Sequence, residues 1–475
     1  MPEREPVQTQ IPERMDRLPW SHWHWLVLVG LGVTWILDGL EVTLAGSIGG
    51  VLRETFHLSD MQVGETATFY LAGAVIGAIF FGYATDLLGR KKLFTVTLLV
   101  YLLGTLASAF AWNLDSYSLF RFLTGMGIGG EYAAINSAID ELIPARVRGH
   151  VNLIINATYW LGAAFGAGAT IFLLGGRYIP ARYGWRLAFG IGAILGSIII
   201  FVRKFISESP RWLVTHGRLE EADRIVGEIE ARVEQQTGRR LPKPAGKPLT
   251  IRPRSHTSFR DIWTAMMHTH RERSFLGLCL MTSQAFFYNA IFFTYALLLI
   301  RFYGVSPGRV GLYLLPFALG NLLGPIVLGR FFDTIGRKPM IVLTYGGSGL
   351  LLAATGWMFV QGELNARTQT VAWTIIFFIA SSAASSAYLT VSEVFPLEIR
   401  AMAISVFYAI GTLAGGVGAP ALFGKLIGTG SRVDVFFGYL FGAGLMVFAA
   451  GAEWRFGVKA ERHALEEISM PLGSC

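Results

Sequence analysis

The sequence predicts an all-α membrane protein of twelve transmembrane helices, arranged as two parallel six-helix repeats. Three observations carry this expectation. Charged residues make up only 15% of the 475 positions and hydrophobic ones 53%, whereas soluble domains carry about 25% charge. Apolar stretches close to the roughly 20 residues that a helix needs to cross a bilayer recur along almost the whole chain. Two polar motifs occur once in each half.

The elements follow in order. Residues 1–22 mix Glu3, Glu5, Glu13 and Asp16 with Arg4, Arg14 and Arg17, unlike the basic start of a signal peptide, and read as a retained cytoplasmic tail. Spans are expected at 23–47, 63–84, 93–111, 117–140, 151–175 and 185–205, forming an N-terminal bundle over 23–205. Residues 206–273 form a cytoplasmic linker. Within it Leu219, Ala222, Ile225, Val226, Ile229 and Val233 recur at helical spacing and predict a short amphipathic helix. Pro242, Pro244, Pro248 and Pro253 among basic residues predict an extended, solvated stretch over 241–254. The second bundle, 274–456, has spans at 274–301, 309–331, 340–361, 371–392, 400–426 and 433–456, and 457–475 is a second cytoplasmic tail. Lys and Arg favour the side assigned to the tails, as the positive-inside rule requires of an inner, plasma-membrane protein.

The net charge of +8 is spread over short loops and not gathered on one soluble face, which argues against a nucleic-acid partner. Cys279 and Cys475 are the two cysteines, too few and too far apart for a disulfide framework or a metal site. The chain has no GxxxxGK[ST], so ATP hydrolysis is not expected, and no H-E-x-x-H or serine nucleophile motif marks an enzyme. The expected partners are the bilayer and a small solute, with the protein acting as a monomer and needing no cofactor beyond a coupling proton.

The loop after span 2 reads Gly82-Tyr-Ala-Thr-Asp86-Leu-Leu-Gly89-Arg90-Lys91, and the loop after span 8 reads Gly329-Arg-Phe-Phe-Asp333-Thr-Ile-Gly336-Arg337-Lys338. Five identities recur at one offset. After spans 4 and 10, Glu141-x-x-Pro144-x-x-x-Arg148 is echoed by Glu393-x-x-Pro396-x-x-x-Arg400. These motifs resemble the signature loops of the major facilitator superfamily, whose two halves are parallel repeats with the substrate site between them. Arg121-x-x-x-Gly125-x-Gly127-x-Gly129 and Ser207-Glu208-Ser209-Pro210-Arg211-Trp212 are similar to motifs of its sugar porter and organic-solute symporter branches, with Ser207 in place of a proline and Ala138 in place of a bulky residue. The resemblance implies that Asp86, Arg90, Glu141, Arg148 and Glu208, with Asp333, Arg337, Glu393 and Arg400, form a cytoplasmic lock.

Departures from the sugar porter pattern bear on the substrate. Span 7 keeps Gln284 and Asn289 of Q-Q-x-x-G-x-N but has Ser283 and Phe287 for the other Gln and the Gly, and Tyr388 replaces a tryptophan in span 10. Asp38-Gly39-Leu40-Glu41 and Gly129-Gly130-Glu131-Tyr132 look more like niacin-type and aromatic-acid proton symporters. The candidate substrate-binding residues are Glu131, Gln284, Tyr288, Asn289, Tyr295 and Tyr388.

Ionisable groups inside a span mark function because their burial is costly. Asp38 and Glu41 share a helical face at i,i+3 spacing, and the depths of Glu41 and Arg121 below the outer ends of spans 1 and 4 allow them to pair. Asp38, Glu41 and Arg121 are the candidate proton-coupling residues. The expected function is proton-coupled symport of a small organic ion or aromatic-type metabolite. Sugar symport and proton-driven export of a drug or metabolite are the alternatives.

Overall fold

The computed structural model describes residues 5–174, 179–202, 206–244, 248–254, 257–292, 294–306 and 309–473. Cys475 and parts of the expected linker, 245–247 and 255–256, lie outside the described residues.

The first bundle holds span 1 (His22–Ser47), span 2 (Asp60–Leu88), span 3 (Arg90–Ala109), span 4 (Leu114–Leu142), span 5 (Arg148–Leu174) and span 6 (Ala181–Val202). The second holds span 7 (Arg271–Phe292, followed by Tyr295–Tyr303), span 8 (Val310–Thr334), span 9 (Arg337–Gln361), span 10 (Ala366–Val394) and span 12 (Arg432–Phe456). Span 11 runs from Arg400–Gly411 through a π-helical stretch, Thr412–Gly418, into Ala419–Gly428. Eleven helices among the described residues are long and apolar enough to cross a membrane. Span 4 is equally long but contains Asp115, Arg121, Glu131, Asp140 and Glu141, so it trades apolarity for chemistry.

Local sequence sets the helix starts. Asn113 and Asn365 cap spans 4 and 10, accepting from the amides of Ser116 at 2.9 Å and Thr368 at 3.0 Å, as side-chain oxygens do at helix N-termini. Their separation is the one that relates Glu141 to Glu393, so the repeat extends to the caps. Span 2 packs along span 4, and a Cβ on Gly125 or Gly129 would fall 2.1 Å from Tyr70 O or 1.9 Å from Ala74 O. Only glycine allows that approach. The halves meet chiefly where span 2 packs on span 11 and span 5 on span 8.

The tails and linker form a cap on one end of the bundle. The expected amphipathic helix is present as Leu219–Thr237, burying Ala222, Ile225, Val226, Ile229 and Val233. Its apolar face packs with Ile11, Met15 and Leu18 from the N-terminal tail. Part of the stretch expected to be extended and solvated is instead a strand, Leu249–Ile251, paired antiparallel with Val7–Thr9. Arg252 N donates to Gly473 O at 2.7 Å and Arg254 Nη2 to Leu472 O at 3.1 Å, docking the C-terminal tail on the same surface. Backbone pairing competes with solvation here because three chain segments converge.

Candidate functional site

Two nearly identical charge clusters join the halves at the tail-bearing end. Asp86 Oδ1 and Oδ2 accept the amides of Ala401 (3.2 Å) and Met402 (2.8 Å) at the start of span 11. Asp333 does the same in mirror fashion, accepting Gly149 N (3.1 Å) and His150 N (2.8 Å) at the start of span 5. Each carboxylate thus sits on a helix N-terminus of the opposite half, where free amides and the helix dipole favour an anion. Arg90 pairs with Asp86 at 3.1 Å and Glu141 at 2.9 Å, and Arg337 with Asp333 at 2.8 Å and Glu393 at 2.9 Å. Arg400 approaches Glu141 at 3.5 Å and Arg148 approaches Glu393 at 3.6 Å.

All eight of these side chains are buried, so they are not the solvated surface pairs that contribute about 0–1 kcal/mol. Gly89 and Gly336 have φ of +101° and +126°, a turn closed to most side chains. Glu208 accepts the amides of Arg90 (2.9 Å) and Lys91 (3.2 Å) at the start of span 3. Burial pushes its carboxyl above the usual range, against the pull of these donors and of Ser209 N. The sequence did not single out Asp16, which accepts from Arg148 and Arg211, or Glu466, which pairs with Arg211. Asp140 was missed too; it lies wholly buried in span 4 and receives Asn152 Nδ2 at 3.1 Å.

Inside the first bundle, Arg121 hydrogen-bonds Glu41, and its guanidinium lies over the rings of Tyr70 (4.7 Å) and Phe189 (5.4 Å). Both partners are buried. Asp38 lies on the same face and receives Tyr132 Oη at 2.7 Å. Glu41 Oε2 and Asp38 Oδ1 are buried with no hydrogen-bond partner among the described residues.

A cavity of about 220 Å³ lies between the halves, bordered by residues of spans 1, 2, 4, 5, 7, 10 and 11. Of the candidate substrate-binding residues, Gln284, Tyr288, Asn289 and Tyr388 line it. Two expected wall residues do not. Tyr295 is buried farther along span 7, with its hydroxyl bonded to Tyr313 O and Thr370 Oγ1, each at 3.0 Å; two helical turns beyond Tyr288 carry it out of reach. Glu131 borders a separate pocket of about 10 Å³ that it shares with Asp38, behind Tyr132. The cavity wall is rich in further aromatic groups: Trp35, Tyr70, Tyr132, Tyr159, Trp160 and Tyr408. Asn156, Ser381, Ser385 and Thr412 add polar groups, and no lining residue carries a formal charge. The π-helical stretch of span 11 contributes Thr412 and Gly416, in keeping with the frequency of π-bulges at functional sites.

A two-bundle protein with a central cavity, paired charge clusters joining the halves at one end and an ion pair buried beside the cavity is a solute transporter, not an enzyme. Residues 24–470 match the family described as sugar (and other) transporter, and the chain belongs to that family. The niacin transporter NiaP of Acinetobacter baylyi is 28% identical over 411 residues, covering 86% of this chain and 88% of that one. The 4-hydroxybenzoate transporter PcaK of the same organism is 33% identical over 204 residues, 42% of this chain. Among solved structures, the proton:xylose symporter XylE of E. coli, bound to 6-bromo-6-deoxy-D-glucose, aligns with a TM-score of 0.76 at 19% identity over 94% of this chain and 98% of that one. The all-α, twelve-span fold is therefore that of the major facilitator superfamily.

Proposed function

We propose that the protein carries out proton-coupled symport of a small aromatic-type metabolite, with both tails in the cytoplasm and the charge clusters acting as the inner gate. The observation that carries this reading is the cavity wall, in which nine of twenty-two lining residues are aromatic and none is charged. Flat aromatic faces bind planar rings by stacking at favourable geometry, while Gln284, Asn289 and the phenols supply directional hydrogen bonds. A hexose site would favour amides and hydroxyls able to satisfy many ligand OH groups. At about 220 Å³ the cavity is also smaller than the roughly 300–1,000 Å³ of pockets for drug-sized ligands, which disfavours drug export. NiaP and PcaK, named for a pyridine acid and a phenolic acid, point the same way. XylE, which is named for a sugar, shares the fold at an identity too low to carry its substrate over.

Coupling falls to the span 1 carboxylates. Glu41 is neutralised by Arg121 without solvent, and breaking that pair during transport leaves a buried charge whose cost is relieved by taking up a proton. A thermal-shift screen of the purified protein against sugars, nicotinate, 4-hydroxybenzoate and organic cations tests the substrate class, because a ligand that binds the native state raises its melting temperature. Nicotinate or 4-hydroxybenzoate is expected to raise it, and Gln284→Ala to abolish the rise. Saturable hexose uptake with no response to any aromatic acid overturns the assignment.

A further inference from the structure

Tyr132 and Trp35 border both the central cavity and the small pocket that holds Asp38 and Glu131. Of the two, Tyr132 touches a carboxylate: its hydroxyl donates to Asp38 Oδ2 at 2.7 Å, and Asp38 Oδ1 has no hydrogen-bond partner among the described residues. The ring is held from both halves of the molecule. It packs edge-on against Trp35 of span 1 at 4.4 Å and reaches Tyr408 of span 11 at 4.6 Å and Tyr388 of span 10 at 5.9 Å.

We infer that Tyr132 is the positioning residue that links occupancy of the cavity to protonation of Asp38. The inference deepens the proposed proton coupling and rests on it. Asp38 faces Glu41 on its own helix and Arg121 and Glu131 on span 4. Phenols reach its surroundings from span 2 (Tyr70), span 3 (Tyr101), span 5 (Tyr159), span 10 (Tyr388) and span 11 (Tyr408). Arg121 is engaged by Glu41. The hydrogen bond from Tyr132 is thus the direct hydrogen-bonding support of the ionised form of Asp38, beside the positive charge of Arg121.

A solute entering the cavity, or a rocking of the second half that carries Tyr408 and Tyr388 with it, displaces the ring and withdraws the hydroxyl. The carboxylate, left buried beside Glu131 without its donor, takes a proton from the aqueous side, forming one O–H bond. Return of Tyr132 favours release of that proton. Solute and proton then travel together without touching.

The test is a pH titration of the protonated-carboxyl stretching band by infrared difference spectroscopy, with the band assigned to Asp38 by its loss in Asp38→Asn. Tyr132→Phe keeps the ring and removes the donor, so the midpoint is expected to move alkaline by about 1–2 pH units, the equivalent of one hydrogen bond to a charged acceptor. Nicotinate or 4-hydroxybenzoate, whichever gives the larger thermal shift, is expected to move the midpoint alkaline in the unsubstituted protein and not in Tyr132→Phe. Equal midpoints with and without the hydroxyl overturn the inference. So does a ligand effect of the same size in both proteins, and if the variant does not fold, absence of any ligand effect in the unsubstituted protein overturns it alone. The coupling reading itself fails separately, if a pH gradient does not drive uptake.

Discussion

Replacing Asp86 by Asn removes the charge that caps span 11 from the opposite half while preserving shape. In the structure Asp86 accepts two amides, Ala401 N and Met402 N, and pairs with Arg90. A hydrogen bond to a charged acceptor contributes about 1.5–3 kcal/mol. Asn keeps one acceptor oxygen, so the net loss is roughly one such bond together with part of a dipole interaction, about 2–3 kcal/mol. At 1.4 kcal/mol per decade that shifts the balance away from the state in which this end is closed by about 30- to 150-fold. Ser405 reports the change, because it is buried between the halves and lies against Gly82. In a protein with Cys279 and Cys475 replaced, the alkylation rate of Ser405→Cys is expected to rise by about that factor when Asp86→Asn is added. An unchanged rate refutes the lock, since a purely topological role for Asp86 leaves the population of open states untouched.

Arg121→Ala leaves Glu41 buried without its cation, which costs about 3–5 kcal/mol; the melting temperature is expected to fall, and Glu41→Gln added to it is expected to recover part of the loss. If single and double variants melt together, the pair is not structural. At the cap formed by the tails and linker, Glu230 is held below its ordinary value of 4.5: burial alone would raise it, but hydrogen bonds from Arg14 and Arg17 outweigh that. A depressed carboxylate contributes stability above its unfolded value that is lost as pH falls through the folded one. The protection of amides in residues 11–17, referenced to intrinsic exchange at each pH, should therefore fall below about pH 4.5, and should be low at all pH values in Glu230→Gln.

Much of this architecture was legible because lipid leaves few options: long apolar runs must be helices, and a motif repeated at fixed offset must be a repeated fold. The pairing of Glu41 with Arg121 followed from counting residues along two helices. Other features had signals that went unused. Ile11, Met15 and Leu18 form an i, i+4, i+7 stripe, the mark of a helix seeking a partner face, and they dock on the linker helix. Tyr132 lies eleven residues, close to three full turns, beyond Arg121, which places it on the same helical face; Glu131, one position earlier, is turned away from that face and into the smaller pocket. The strand pairing of Val7–Thr9 with Leu249–Ile251 had no local signal, since three residues of either segment are too short to show a period. Nor did the π-helical register of Thr412–Gly418, which depends on how span 11 packs against Ala285 and Phe286.

In the proposed mechanism a proton carried by the span 1 carboxylates drives the solute uphill. Uptake of nicotinate or 4-hydroxybenzoate into proteoliposomes under an imposed pH gradient, compared with exchange between preloaded vesicles, tests it most directly. The unsubstituted protein should accumulate the solute above equilibrium in proportion to the gradient, while at least one of Glu41→Gln and Asp38→Asn should still exchange it but reach no more than equal concentrations on the two sides. Accumulation by Glu41→Gln and by Asp38→Asn that matches the unsubstituted protein contradicts the claim.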